Sequence, residues 1–441
     1  MPKQHTIRAF FRSDFARHGS LVFISTSIVN FASYALNLAI SRWVGVAGYG
    51  VVASLTSTLV ILSIPSAVFA TIIVKQGAEL NAVGDTRRLA AFSKRTLQIS
   101  ASATLFTIAA TVLAHDALAR YLHLADPRLT LVAGAILALA TLTITMRALL
   151  QARHDFHRFA YSTLLEGGLR AVLGIALVSI NHEPLNAMLG WLAAEAIAAT
   201  YTIVASRSPA ATNDDGEVAV YLDWRRIAQA SAGVGASAAI LTTLGFADMI
   251  LVKHFFRPRE AGLYGALSLG GRVLTFGLGF IPTIVLPKAT AKAMRGESAL
   301  PILRAAAIVC ATVASLVLLV VGLEPTVFLR ALVGTAYADA APYLLPYCVA
   351  ATLLTFAGLA ATYKTALHRF QYVGPTAIVA LGEITAITLF HATIGDIVRT
   401  LVIGAALVLC TTSWGLWSKP AVSPDTRSGD AVKRTELSRQ T

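Results

Sequence analysis

Residues 47–55 read AGYGVVASL, and residues 261–269 read AGLYGALSL. Each stretch opens a long apolar run, and each follows a polar pair five residues apart: Asn37 and Arg42 in the first case, Asp248 and Lys253 in the second. A proline comes after each at similar depth, Pro65 and Pro282. Further on, RALLQARHDFHRFAYSTLLEGG (147–168) is echoed by KTALHRFQYVGPTAIVALGE (364–383), which matches Glu166 with Glu383. The echoes keep one order and nearly one offset. They predict a chain built from two copies of one unit.

Composition says what the unit is. Of 441 residues, 56% are apolar and 13% charged, with a mean hydropathy of +0.68. A soluble domain carries about 25% charged residues, so an ordinary soluble enzyme, a disordered chain and a secreted disulfide scaffold are all excluded. A membrane-spanning helix needs about 20 mainly apolar residues. Twelve segments meet that measure: 19–41, 48–74, 96–114, 127–150, 160–180, 185–206, 227–252, 261–287, 304–323, 342–363, 375–394 and 398–418. They are continuous apolar runs, unlike the alternating strands of a membrane β-barrel.

The expected fold class is therefore an all-α polytopic membrane protein. Its twelve transmembrane helices form two six-helix bundles related by a parallel pseudo-two-fold repeat, since two six-helix copies must start on the same side. The bundles span 19–206 and 227–418, joined by a polar linker at 207–226. A short segment, 1–18, precedes them, and a charged tail, 419–441, follows. Lys and Arg set the orientation. With the N-terminus inside, 26 of the 36 basic residues fall on the cytoplasmic side and 8 opposite, leaving Arg170 and Arg272 within spans. Both termini are expected in the cytoplasm, and Trp43, Trp224, Trp414 and Trp417 at the interfaces.

The net charge of +13 follows from this topology, so no nucleic-acid partner is expected; the basic loops face membrane lipids. Cys310, Cys348 and Cys410 sit in apolar runs and read as small packing residues. No metal-ligand spacing is present among the histidines, and no GxxxxGK[ST] phosphate loop exists. No metal, no cofactor and no ATP site are expected, so the chain reads as a secondary-type transporter and not an enzyme. A membrane glycan polymerase would need a sizeable outer loop, whereas the longest, 324–341, holds three charges: Glu324, Arg330 and Asp339. A major-facilitator transporter fits the helix count, but GAELNAVGDTRRLAAF (77–92) lacks the second glycine of that family's loop motif.

Ionisable residues inside a bilayer cost at least about 2.5–3.5 kcal/mol and usually face a cavity or a partner. Arg272 lies eleven residues into its span with no acid at i±3 or i±4. Its repeat counterpart falls near Ser57 and Thr58. Arginine grips phosphate in a bidentate way, so Arg272, Ser57, Thr58 and Arg170 are the candidate substrate-binding residues; an acid on another helix is the alternative partner for Arg272. Glu166 and Arg170, four apart on one helix face, are expected to neutralise each other. Glu195 is set to pair with Arg170 or to take up protons. Asp248 is a candidate gate partner for Arg42 or Lys253, and Glu383 is expected to reach the cytoplasmic side. Asp248, Arg42, Lys253, Glu195, Glu166 and Glu383 are the gating and ion-coupling candidates, with Pro65 and Pro282 as hinge candidates.

The stretch GSLVFISTSIVNFASYALNLAISRWVGVAGYGVVASL (19–55) resembles the first two helices of bacterial polysaccharide and oligosaccharide flippases. These belong to the multidrug/oligosaccharidyl-lipid/polysaccharide exporter (MOP) superfamily. FADMILVKHFFRPREAGLYGALSLGGRVLTF (246–276) resembles their seventh and eighth helices. The resemblance covers 19–417 and specifies the superfamily better than the cargo. It implies a V-shaped pair of bundles around a cavity in a bacterial inner membrane. The implied cargo is an undecaprenyl-diphosphate-linked oligosaccharide on its way to O-antigen or exopolysaccharide, with polymerase and glycosyltransferases as partners. A cation-coupled multidrug exporter of the same superfamily is the alternative.

Overall fold

The structure, a computed structural model, describes residues 14–207, 224–279 and 281–416. The terminal segments 1–13 and 417–441 and most of the linker lie outside the described residues. The described chain is helical. The N-terminal half runs α1 (Asp14–Trp43), α2 (Gly45–Leu62), α3 (Ile64–Val83), α4 (Thr86–Tyr121), α5 (Arg128–Ala152), α6 (Phe156–Ile180) and α7 (Pro184–Ser206). The C-terminal half runs α8 (Trp224–Phe255), α9 (Pro258–Leu278), α10 (Ile281–Met294), α11 (Leu300–Leu323), α12 (Pro325–Leu332), a 3-10 turn (Thr335–Ala340), α13 (Ala341–Ala366), α14 (Val373–Leu389) and α15 (Ile394–Ser413).

Nine helical segments among the described residues are long and apolar enough to cross a membrane. With α1, α9 and the 17-residue α14 they make twelve spans in two bundles, in the order the sequence predicts. The protein is a multi-pass membrane protein. One boundary differs in kind: the second and eighth spans are each two helices. α2 stops at Ser63 and α3 begins with Pro65 in its first turn; α9 ends at Leu278 and α10 restarts with Pro282 as its second residue. Proline lacks a backbone N–H and clashes with the preceding turn, but fits the first turn of a new helix. The fourth span of each half also ends alike. His154 and His368, 214 apart, both adopt a left-handed backbone (φ 58° and 53°). Around each, two backbone bonds close the helix: Asp155 to Leu150 and His154 to Gln151, Arg369 to Lys364 and His368 to Thr365. This is the Schellman stop, repeated.

The halves meet where the two copies of the repeat motif lie against each other. α2 packs on α8 and α9. A Cβ on Gly50 would stand 2.8 Å from the Gly262 amide nitrogen, and one on Gly262 would overlap the Val46 carbonyl oxygen. Glycine is thus required for this backbone contact. Beside it, α12 and the 3-10 turn fold against the end of α1. The Tyr337 hydroxyl donates to the Ser41 carbonyl at 2.9 Å, Ser41 Oγ donates to the Val333 carbonyl at 3.5 Å, and the Tyr337 ring meets Tyr49 edge-on at 6.1 Å. His254 donates from Nδ1 to the Tyr121 carbonyl at 2.7 Å and stacks on that tyrosine at 4.1 Å. This end of the molecule is closed by contacts that cross between halves.

Candidate functional site

The C-terminal half contains a cavity of about 380 Å³ walled by α8, α9, α11, α13, α14 and α15, with Pro282 of α10 also on its lining. Most of the wall is apolar, supplied by residues such as Leu241, Leu278, Leu354 and Val408. Charge enters at three points: Arg272, Asp248 and Glu383. Arg272 is half-buried. Its Nη2 donates to Ser57 Oγ of the other half at 3.1 Å. Its guanidinium lies 4.7 Å over the Phe246 ring, a cation–π contact that strengthens as water is excluded. Its Nε is buried with no hydrogen-bond partner among the described residues.

Asp248 is 3% exposed. Its Oδ2 accepts from Tyr264 at 2.6 Å and from Tyr347 at 3.1 Å, while Oδ1 is buried and unpartnered. A hydrogen bond to an ionised acceptor contributes about 1.5–3 kcal/mol, more than a neutral one. Glu383 is also buried, and a Cβ at Gly404 would collide with its Oε2. The carboxylate occupies the space that the missing side chain leaves.

The N-terminal half holds a second, smaller cavity of about 160 Å³, lined by Ser63, Thr143, Arg147, Glu166, Trp191 and Glu195 among others. Arg147 anchors it, donating to Glu166 Oε2 at 2.9 Å and to Ser162 Oγ and its carbonyl, both at 2.7 Å. Arg170 is 4.0 Å from Glu166; it donates to Ser33 Oγ at 2.6 Å and lies over Trp191 at 4.9 Å. Glu195 is 3% exposed and shares the cavity lining with Thr143.

These positions revise several sequence expectations. Glu166 is neutralised chiefly by Arg147, because a residue on the neighbouring helix reaches it at better geometry than the i+4 arginine. Arg170 therefore sits in the N-terminal cluster and not beside Arg272. Of the hydroxyls near Arg272, Ser57 reaches it; Thr58 bonds back to the Ser54 carbonyl of its own helix at 2.9 Å. Asp248 is not wetted and faces two tyrosines, neither Arg42 nor Lys253. Arg42 instead donates to the Ala331 carbonyl at 3.2 Å, while Lys253 is buried. Glu383 lines the cavity and does not extend to a surface. Cys310 and Cys348 pack inside as expected, whereas Cys410 is exposed. Trp43 stacks on His182 at 6.3 Å and Trp414 is exposed, while the side chains of Trp224 and Trp417 lie outside the described residues. Arg147, Tyr264 and Tyr347 escaped the sequence reading; the signal for Tyr264 lay inside the repeat motif itself, opposite Tyr49.

No protein-family model and no curated protein sequence matches the chain. Solved structures do. An inward-facing MATE-family multidrug resistance transporter of the MOP superfamily superimposes with a TM-score of 0.70 at 12% identity, over 92% of this chain and 99% of that one. The chain has the fold of the MOP-superfamily transporters. The lipid II flippase MurJ, in an inward closed conformation, gives a TM-score of 0.63 at 14% identity, over 90% of this chain and 87% of that one. A MOP-superfamily transporter from Pyrococcus furiosus, described as having a binding pocket of reverse polarity, gives 0.59 at 15% identity, over 92% and 96%.

Proposed function

We propose that this protein is a flippase for a lipid-linked oligosaccharide, carrying an undecaprenyl-diphosphate-linked glycan across the bacterial inner membrane during polysaccharide export. One observation carries the reading: Arg272 lines the cavity and, among the described residues, is held by Ser57 and Phe246 and not by a carboxylate, with its buried Nε unpartnered. A guanidinium left without an anionic partner in a low-dielectric site favours an anionic passenger. The diphosphate binds Arg272. The glycan takes the polar space outside this largely apolar cavity, including the N-terminal cluster, and the lipid tail stays in the bilayer. Rocking of one half against the other alternates access, with Pro65 and Pro282 as the flex points. Asp248, Glu383 and Glu195 are the groups available to couple an ion gradient. The expected partners are the membrane lipids and the polymerase and glycosyltransferases that act on the same carrier. The termini are placed in the cytoplasm on the strength of the basic-residue count.

Cells that carry Arg272→Ala at normal protein level should accumulate lipid-linked repeat units on the cytoplasmic face. Normal surface polysaccharide in that strain would refute the assignment. The carboxylates in both cavities favour a second reading, a cation-coupled multidrug exporter, and the MATE likeness supports it equally. That reading expects export of cationic drugs to fail in Glu383→Gln and to survive in Arg272→Ala.

A further inference from the structure

Asp248 and Arg272 line the same cavity and carry opposite charges, yet the contacts of Arg272 are Ser57 and Phe246. Opposite charges attract strongly where water is scarce, so a restraint is needed to keep them apart. The geometry points to Tyr264 and Tyr347 as that restraint: we propose that they are positioning residues that hold the Asp248 carboxylate and keep Arg272 available to an anionic ligand. The proposal rests on Arg272 being the anion site.

Both phenols donate to one carboxylate oxygen, at 2.6 and 3.1 Å. Tyr264 is wholly buried and Tyr347 nearly so, and their rings meet edge-on at 5.7 Å. Packed rings cannot follow a departing carboxylate, so moving it toward Arg272 would forfeit both bonds. Phe246, two residues before Asp248 on α8, holds the guanidinium from the same helix. The N-terminal half repeats the tie in neutral form: the Tyr49 hydroxyl donates to Asn37 Oδ1 at 3.3 Å, at the position matching Tyr264 and Asp248. There the acceptor is an uncharged amide. The same comparison indicates that asparagine fits this site.

The test measures inorganic pyrophosphate binding to the full chain in nanodiscs by titration calorimetry. Arg272→Ala should weaken binding at least tenfold; equal binding by wild type and this variant would remove the anion site and the proposal together. With that difference in place, the Tyr264→Phe/Tyr347→Phe pair should also weaken binding about tenfold, because the freed carboxylate captures Arg272. Adding Asp248→Asn to the pair should restore affinity to within about threefold of wild type, which a merely structural defect would not allow. Wild-type affinity in the tyrosine pair, or no recovery on adding Asp248→Asn, would overturn the proposal and leave the anion site standing.

Discussion

Ser57 and Arg272 lie at nearly matching places in the two halves, 215 residues apart against an offset of 214 for Ala47 and Ala261, and are joined by a hydrogen bond of 3.1 Å. The duplicated chain has kept a small hydroxyl in one copy and placed a cation in the other, and the fold brings the two together. The candidate ligand site is thus also a contact between the halves. An anion that takes the Nη2 donor competes with Ser57, which links cargo binding to loosening of the interface. Ser57→Ala should therefore keep cargo binding but change the rate of movement by about threefold, whereas Arg272→Ala removes both. Comparing binding and translocation in the two variants checks this.

The close approach of α2 and α9 depends on glycine. Gly262→Ala places a methyl group on the Val46 carbonyl oxygen, which is backbone and cannot rotate away. Forced overpacking costs about 1–3 kcal/mol, so the melting temperature in detergent should fall. Gly358→Ala, inside a helix where nothing lies within 4 Å, should hold or raise it, because alanine is the better helix former.

The N-terminal cluster predicts an order of severity. Arg147→Ala leaves Glu166 with only the longer contact to Arg170; the pair is part-buried, so its loss costs less than the ~3–5 kcal/mol of breaking a fully buried pair. Arg170→Ala removes a contact at the 4.0 Å limit and a bond to Ser33, and should cost much less. Membrane protein levels and thermal melts should rank wild type above Arg170→Ala and that above Arg147→Ala, with Glu166→Gln partly rescuing the last.

The closed face should lock. Ser41 Oγ meets the Val333 backbone carbonyl across the halves, so the Ser41→Cys/Val333→Cys pair brings two thiols to this contact for an oxidative bridge. Transport should stop in the oxidised protein and return on reduction. Unchanged transport with the bridge formed would mean that this contact does not open during the cycle.

How much of this was legible in the sequence depends on the kind of signal. The twelve spans were, because length and hydropathy alone specify them, and so were the duplication and the backbone breaks at Pro65 and Pro282. The unpaired state of Arg272 was half legible: the missing acid at i±3 and i±4 ruled out a partner on its own helix but not on others. Partner choice was not legible. Arg147 is nineteen residues from Glu166 and sits near a helix end, where it reads as one more interfacial charge, so the local i+4 arginine looked better. Asp248 failed for the same reason, since spacing along one helix does not tell which tyrosines a neighbouring helix presents. The cavities were also invisible, because apolar runs do not reveal which faces fail to meet, and the sequence suggested one polar space where each half has its own.

The central claim is that Arg272 holds the phosphates of a lipid-linked passenger. Its most direct test is movement of a fluorescent undecaprenyl-diphosphate-linked sugar across vesicles carrying the purified protein. Wild type should move it, and Arg272→Ala, at equal protein, at no more than about a tenth of that rate, a loss of about 1.4 kcal/mol. Movement by Arg272→Ala at the wild-type rate would contradict the account.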